Sequence, residues 1–96
     1  MKILNRKNIA SFDVDAQYTF TEQCKNELPV SGGTEIVAAL NTQAEFASLR
    51  IGSKDAHSPK AIWIADENQP MFSTVEGDNV DIAWNLHAVP GTKGFD

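Results

Sequence analysis

Apolar residues gather first at Ile9, Ala10, Phe12 and Val14, in a short run rich in strand formers that stops at Asp15. A run of this length between polar residues predicts a strand buried on both faces of a sheet. From Asp15 to Gly33 the chain is polar and broken by Pro29 and Gly32-Gly33, which predict a loop. Helical spacing then takes over: Ile36, Val37, Leu40, Ala44 and Ala47 share a face, Thr34 offers an N-cap, and Glu35 places negative charge in the first turn. The spacing predicts an amphipathic helix over 34–47, with Phe46 at the edge of its apolar stripe. Ser48-Leu49-Arg50-Ile51-Gly52-Ser53 follows with almost no connection and predicts a second strand.

Strand, helix and strand in this order make a βαβ unit, whose crossover is right-handed and whose strands are parallel. Parallel strands bring their carboxyl ends to one edge of the sheet, where open α/β sheets bind ligands. Asp15 closes the first strand, and Asp55 and His57 follow the second, so topology alone delivers them to one rim. Beyond Ser58 the pattern weakens. Pro59, Pro70, Gly77, Pro90, Gly91 and Gly94 punctuate this stretch, and Ala61-Ile62-Trp63-Ile64-Ala65 is at most a short strand. There is no internal repeat, no low-complexity tract and no mark of a second domain. A loop of roughly thirty-five residues is unusual in a compact domain unless it is functional. With one and a half β-α repeats legible, the expectation is part of a larger α/β fold.

The 96 residues carry a net charge of −5, which argues against a nucleic-acid partner. The N-terminus, Met1 to Asn8, is basic, but no apolar h-region follows it and no stretch reaches the length of a membrane span. The expectation is a soluble cytoplasmic protein. A single cysteine, Cys24, cannot form an internal disulfide, and its polar surroundings read as an ordinary loop thiol, with Lys25 the cation nearest in sequence.

Candidate chemistry lies at the two histidines, His57 and His87. In an extended segment, residues two apart point the same way, so Asp55 and His57 can face one ion. With His87 they make a set of three ligands with an open position, which a catalytic metal needs. Non-heme iron oxygenases also use two imidazoles and a carboxylate. The order familiar in their 2-oxoglutarate group is His-x-Asp on a double-stranded β-helix, whereas this chain has Asp-x-His on a βαβ unit. Asp15 is a candidate acid/base, but Asp13 lies on the same face by period-two alternation, and spacing does not choose between them. Gly32-Gly33 lacks the spacing of a dinucleotide or P-loop fingerprint.

Four ordered motifs spanning residues 9 to 94 resemble nicotinamidases and the wider isochorismatase-like cysteine hydrolases. That family's apolar strand runs into Asp-x-Gln-x-x-Phe, matched by Asp15-Ala16-Gln17-Tyr18-Thr19-Phe20. Its Val-x-Gly-Gly-x-Glu-Ile-Val helix start is matched by Val30 through Val37, and its Asp-x-His with a nearby proline by Asp55-Ala56-His57-Ser58-Pro59. Its Trp-x-x-His-x-Val-x-Gly-Thr-x-Gly is matched by Trp84 through Gly94.

The resemblance implies a three-layer, Rossmann-like α/β fold with a parallel sheet, represented here by its N-terminal βαβ unit and metal-binding loop. It implies Asp15 as catalytic acid/base, Asp55, His57 and His87 as ligands of one divalent metal (Zn in first place, Fe or Mn also suiting the set), and Phe20 and Trp84 flanking the substrate ring. The implied substrate is nicotinamide or a related pyridine or pyrazine carboxamide. In the family a cysteine attacks the carboxamide carbon, ammonia leaves, and water hydrolyses the thioester to give nicotinic acid. Many members place a further metal-binding histidine shortly after Asp-x-His. None lies between His57 and His87, which leaves water, Asp66 or Glu67 as the fourth ligand.

The family's lysine and nucleophilic cysteine lie beyond Gly-Thr-x-Gly, and Cys24 matches an early loop rather than the nucleophile. Residues 1–96 therefore read as the N-terminal half of one hydrolase domain, partnered by a C-terminal half as a separate chain or segment. Homo-oligomerisation stays open. The rival reading is a catalytically inactive fragment that serves only as a metal-binding or interaction module.

Overall fold

The computed structural model describes residues 5–77 and 81–96. The first apolar run forms strand β1 (Ala10–Val14), and the second forms β2 (Leu49–Ser53). They pair in parallel, Ala10 opposite Leu49 and Val14 opposite Ser53. Helix α1 (Ile36–Ala44) connects them. The described residues are thus a small mixed α/β arrangement whose larger element is a two-stranded parallel sheet.

The helix is shorter at both ends than its apolar spacing predicts. Gly32 adopts a left-handed φ of 78°, and Gly33–Glu35 forms a 3-10 turn, so Thr34 lies inside that turn instead of capping α1. Gly33 packs against the carbonyl of Phe20, where a β-carbon would overlap, and this close approach sets the path into the helix. At the other end the amides of Glu45, Phe46 and Ala47 bond the carbonyls of Thr42, Gln43 and Ala44, each three residues back. This tightening satisfies carbonyls that the last α-helical turn leaves free.

Side-chain alternation divides the sheet into two unlike faces. Ser11, Asp13 and Arg50 lie on the side of α1: Arg50 Nε donates to Asp13 Oδ2 at 2.7 Å and Nη1 to Asn41 Oδ1 of the helix at 3.0 Å. The opposite face carries Phe12, Val14, Leu49 and Ile51, all exposed, with Val14 at 71%. Parallel sheets are ordinarily covered on both faces, so this apolar side is a surface built for cover.

Residues 58–96 hold more structure than their sequence pattern predicts. Strands β3 (Thr74–Val75) and β4 (Asp81–Ile82) pair antiparallel, Thr74 opposite Ile82. At two residues each they are too short to leave a periodic signature. The stretch Ala61 to Ala65, read as at most a short strand, contributes a parallel bridge between Ile64 and Trp84. There Trp84 donates its amide to the Trp63 carbonyl at 3.0 Å, and Ala65 donates to the Trp84 carbonyl at 2.7 Å.

The chain is extended for its length. Its radius of gyration is 17.3 Å, against roughly 13 Å for a compact domain of about this size. Among the described residues the buried apolar ones are Ala47, Val75, Ala83 and Ala88, and the largest fully buried side chain is Thr19. Among those residues no helix is long and apolar enough to cross a membrane.

Candidate metal centre

Beyond β2 the backbone is held by a glutamine. Gln17, 4% exposed, accepts the Asp55 amide on Oε1 at 2.7 Å. Its Nε2 donates to the carbonyls of Asp55 at 2.9 Å and Phe95 at 2.8 Å. These three bonds use both of its amide hydrogens and its oxygen, and they tie the segment after β1 to the one after β2. Two residues later the His57 amide donates to the carbonyl of Ala88 at 3.1 Å. The loop that follows Trp84 is thereby laid alongside Asp55-Ala56-His57.

Asp55, His57 and His87 converge, with one ligand atom from each lying within 4.8 Å of the others. Asp55 Oδ2 is 2.9 Å from His57 Nε2 and 3.3 Å from His87 Nε2, and the two imidazole centroids are 4.4 Å apart. Tetrahedral bonds to nitrogen and oxygen place ligands about 3.3 Å from one another, so this spacing fits a shared ion with little movement. His87 Nδ1 donates to the Asn85 carbonyl at 2.7 Å, and its Nε2 faces Asp55. Such an outer bond is what orients a metal-binding imidazole. His87 is 6% exposed, while the side chains of Asp55 and His57 are 26% and 29% exposed, leaving an approach from one side. These three residues could hold a metal ion.

A cavity of about 320 Å³ opens over the histidines, walled by Leu28, Trp63, Asp81 and Trp84. Trp63 meets His57 edge-on at 4.7 Å and 79°, and Trp84 is braced in the same manner by Phe72 at 5.4 Å. Phe20 lies 6.3 Å from the His87 ring without lining this cavity. Phe20 and Trp84, expected to flank a substrate ring, both line a neighbouring cavity of about 490 Å³; Trp84 also stands in the wall over the histidines, and Phe20 lies beside His87. Trp63 takes the second aromatic position in the wall. In the sequence it belongs to a run, Ala61 to Ala65, that reads as at most a short strand.

Asp15 borders a different cavity, of about 530 Å³, together with Gln17, Phe20, Leu40 and Asp96. Its φ of 49° carries it past the end of β1, its amide donates to the Ser53 carbonyl at 3.1 Å, and Ser53 Oγ donates to its Oδ1 at 2.7 Å. Asp13, which spacing could not separate from it, is occupied by Arg50. Gln17 and Phe20 link the two regions: both border the Asp15 cavity, and each also reaches a member of the triad.

Two further candidates find other partners. Asp66 Oδ1 accepts the amides of Asn68 and Gln69, both at 2.8 Å, which closes a turn, and neither it nor Glu67 lines the metal cavity. The carboxylate that does is Asp81. Burial pushes the Cys24 thiol above its ordinary pKa, and hydrogen bonding and charge from Glu27 add to the shift against a smaller opposing pull from Lys93. A thiol so placed is a poor nucleophile.

Comparison of the chain with family models, with curated proteins and with solved structures gave no match.

Proposed function

We propose that this chain supplies the metal-binding and proton-transfer residues of a nicotinamidase-like amidohydrolase, an N-terminal portion of a three-layer α/β domain. The observation that carries the reading is the convergence of Asp55, His57 and His87, with the Nε2 of His87 turned toward Asp55, under a wall of two tryptophans. The four ordered motifs support it from the sequence side. A flat pyridine or pyrazine carboxamide suits such a wall, since aromatic rings pack edge-to-face or offset against indole. Asp55, His57 and His87 would hold a divalent ion, with zinc first among the choices, which would supply Lewis acidity beside the bound ring.

The chain's own residues then divide the work. Trp63 and Trp84 orient the ring and exclude water from its faces, and Phe20 backs His87. Asp15, aimed by Ser53, accepts a thiol proton and later returns one to the departing ammonia. The attacking thiol and an assisting lysine belong to polypeptide that covers the open sheet face and pairs with its edges, as a separate chain or segment. Cys24 is not that thiol, because it lies away from the metal cavity and its pKa is raised.

The test is ammonia release from nicotinamide by the zinc-loaded protein together with the polypeptide that completes its sheet. Asp15→Asn should abolish turnover while zinc stays bound. A variant that keeps the parental rate removes Asp15 from the mechanism. Turnover by residues 1–96 alone that is lost in Cys24→Ser would overturn the assignment of the nucleophile.

A second reading is a metal-binding module without hydrolytic activity. The convergence of Asp55, His57 and His87 suffices for it, and inactivity toward every pyridine and pyrazine carboxamide in the completed, zinc-loaded assembly would establish it.

A further inference from the structure

Glu27 sits in a polar stretch with no sequence signature, yet its hydrogen bonds reach the metal centre from both sides. Its Oε1 accepts the Ala88 amide at 3.0 Å and the Thr19 hydroxyl at 2.9 Å. Its backbone carbonyl accepts the Asn85 side-chain amide at 3.1 Å. His87 lies between these anchor points, with its Nδ1–H bonded to the Asn85 carbonyl.

Ala88 is the hinge of this arrangement. Its φ of 50° is a left-handed conformation that alanine adopts only when its surroundings impose it. Its amide is turned toward Glu27 and Thr19, the latter at 3.2 Å, and its carbonyl toward the His57 amide. The carboxylate on one side of Ala88 is thus in hydrogen-bonded sequence with the backbone amide of His57 on the other. Gly94 makes room for it, because a β-carbon there would overlap both Glu27 carboxylate oxygens. Thr19, fully buried, fixes it from the remaining side.

We infer that Glu27 is the positioning residue of the metal centre: its carboxylate and carbonyl grip the backbone on both flanks of His87, fixing that ring's tautomer and its spacing from His57. The inference rests on Asp55, His57 and His87 being metal ligands. Residues that support ligands in this way typically change metal affinity about 10–100-fold when removed.

Three readouts test it: Zn²⁺ affinity by competition with a chromophoric chelator, the visible spectrum of the Co²⁺-substituted protein, and the ring ¹⁵N shifts of His87 without metal. Glu27→Ala should weaken Zn²⁺ binding about 10–100-fold, alter the Co²⁺ spectrum and mix the His87 tautomers. Glu27→Gln should recover most of the affinity, since an amide oxygen still accepts both bonds. Gly94→Ala should resemble Glu27→Ala by displacing the carboxylate, and the two changes together should cost no more than either alone.

Parental Zn²⁺ affinity and unchanged His87 shifts in Glu27→Ala would overturn the inference. Should that variant fail to fold, the same two results in Gly94→Ala would overturn it. Lowered melting temperature with an unchanged Co²⁺ spectrum would reduce Glu27 to a stabilising residue and equally defeat the proposal. Retention of zinc by His87→Ala would instead remove the metal centre itself, and the metal-free ¹⁵N shifts keep that failure distinguishable.

Discussion

The βαβ unit and the loop-rich region after it divide regularity and closure between them in an unexpected way. The first has a register-perfect strand pair and a helix, yet Phe12, Val14, Ile36, Val37, Leu49 and Ile51 remain exposed. The second has two strands of two residues each, yet together with the Gln17–Thr21 turn it encloses His87, Ala83, Ala88 and the polar side chains of Gln17 and Thr19. Backbone hydrogen bonding can build a strand or a helix before its apolar side is covered. A loop has no such ladder, and here side-chain hydrogen bonds to backbone take its place. The site is therefore closed by polar contacts, while the apolar faces of the regular elements stay exposed.

The largest effects should come from the closed region. His57→Ala or His87→Ala should each weaken zinc binding by more than about a hundredfold, beyond the range for residues that merely support ligands. Metal analysis after dialysis checks this, and undiminished zinc in either variant removes that histidine from the site. Gln17→Ala should come next. It strands the part-buried Asp55 amide and two part-buried carbonyls, with a loss of about 1–3 kcal/mol for a group left unpaired. Urea unfolding measures it, and an unchanged midpoint would mean that the loop is held by something other than Gln17.

The open region should respond to its surroundings. Val14→Ser, at a site 71% exposed, should change the stability of these residues alone by less than about 0.5 kcal/mol. With the covering polypeptide in place the same change should cost about 1.5–3 kcal/mol, the worth of a buried aliphatic side chain. Equal costs in both settings would contradict the assignment of that face as an interface.

The smallest effect should appear at the helix entrance. Glu22 is held below the ordinary glutamate pKa chiefly by the Gly32 amide, which donates to it at 2.8 Å, with its own amide and the Thr34 hydroxyl adding to this against a small effect of burial. A carboxyl whose pKa is lowered by folding stabilises fully above its unfolded pKa and loses that contribution as pH falls through the folded value. Glu22→Gln should flatten that part of the stability profile on the acid side of the ordinary glutamate pKa and leave neutral-to-basic slopes alone. An unaltered acid limb would show that the bond to Gly32 contributes nothing to folding.

The sequence by itself determined the parallel βαβ unit, because apolar runs and helical spacing are local signals that hydrogen bonding within and between neighbouring elements converts directly into structure. It also marked Asp55, His57 and His87, since Asp-x-His in an extended segment needs nothing but backbone alternation to aim both side chains one way. Tertiary structure alone decided the rest. Only folding shows that Asp13 is taken by Arg50 while Ser53 holds Asp15, that Trp63 joins Trp84 over the histidines while Phe20 shares a neighbouring cavity with Trp84, and that Glu27 reaches Ala88 across sixty-one positions. These assignments depend on which long-range donor finds which acceptor in three dimensions. No periodicity along the chain encodes such pairings, because an isolated polar side chain carries no signal of the partner it will meet.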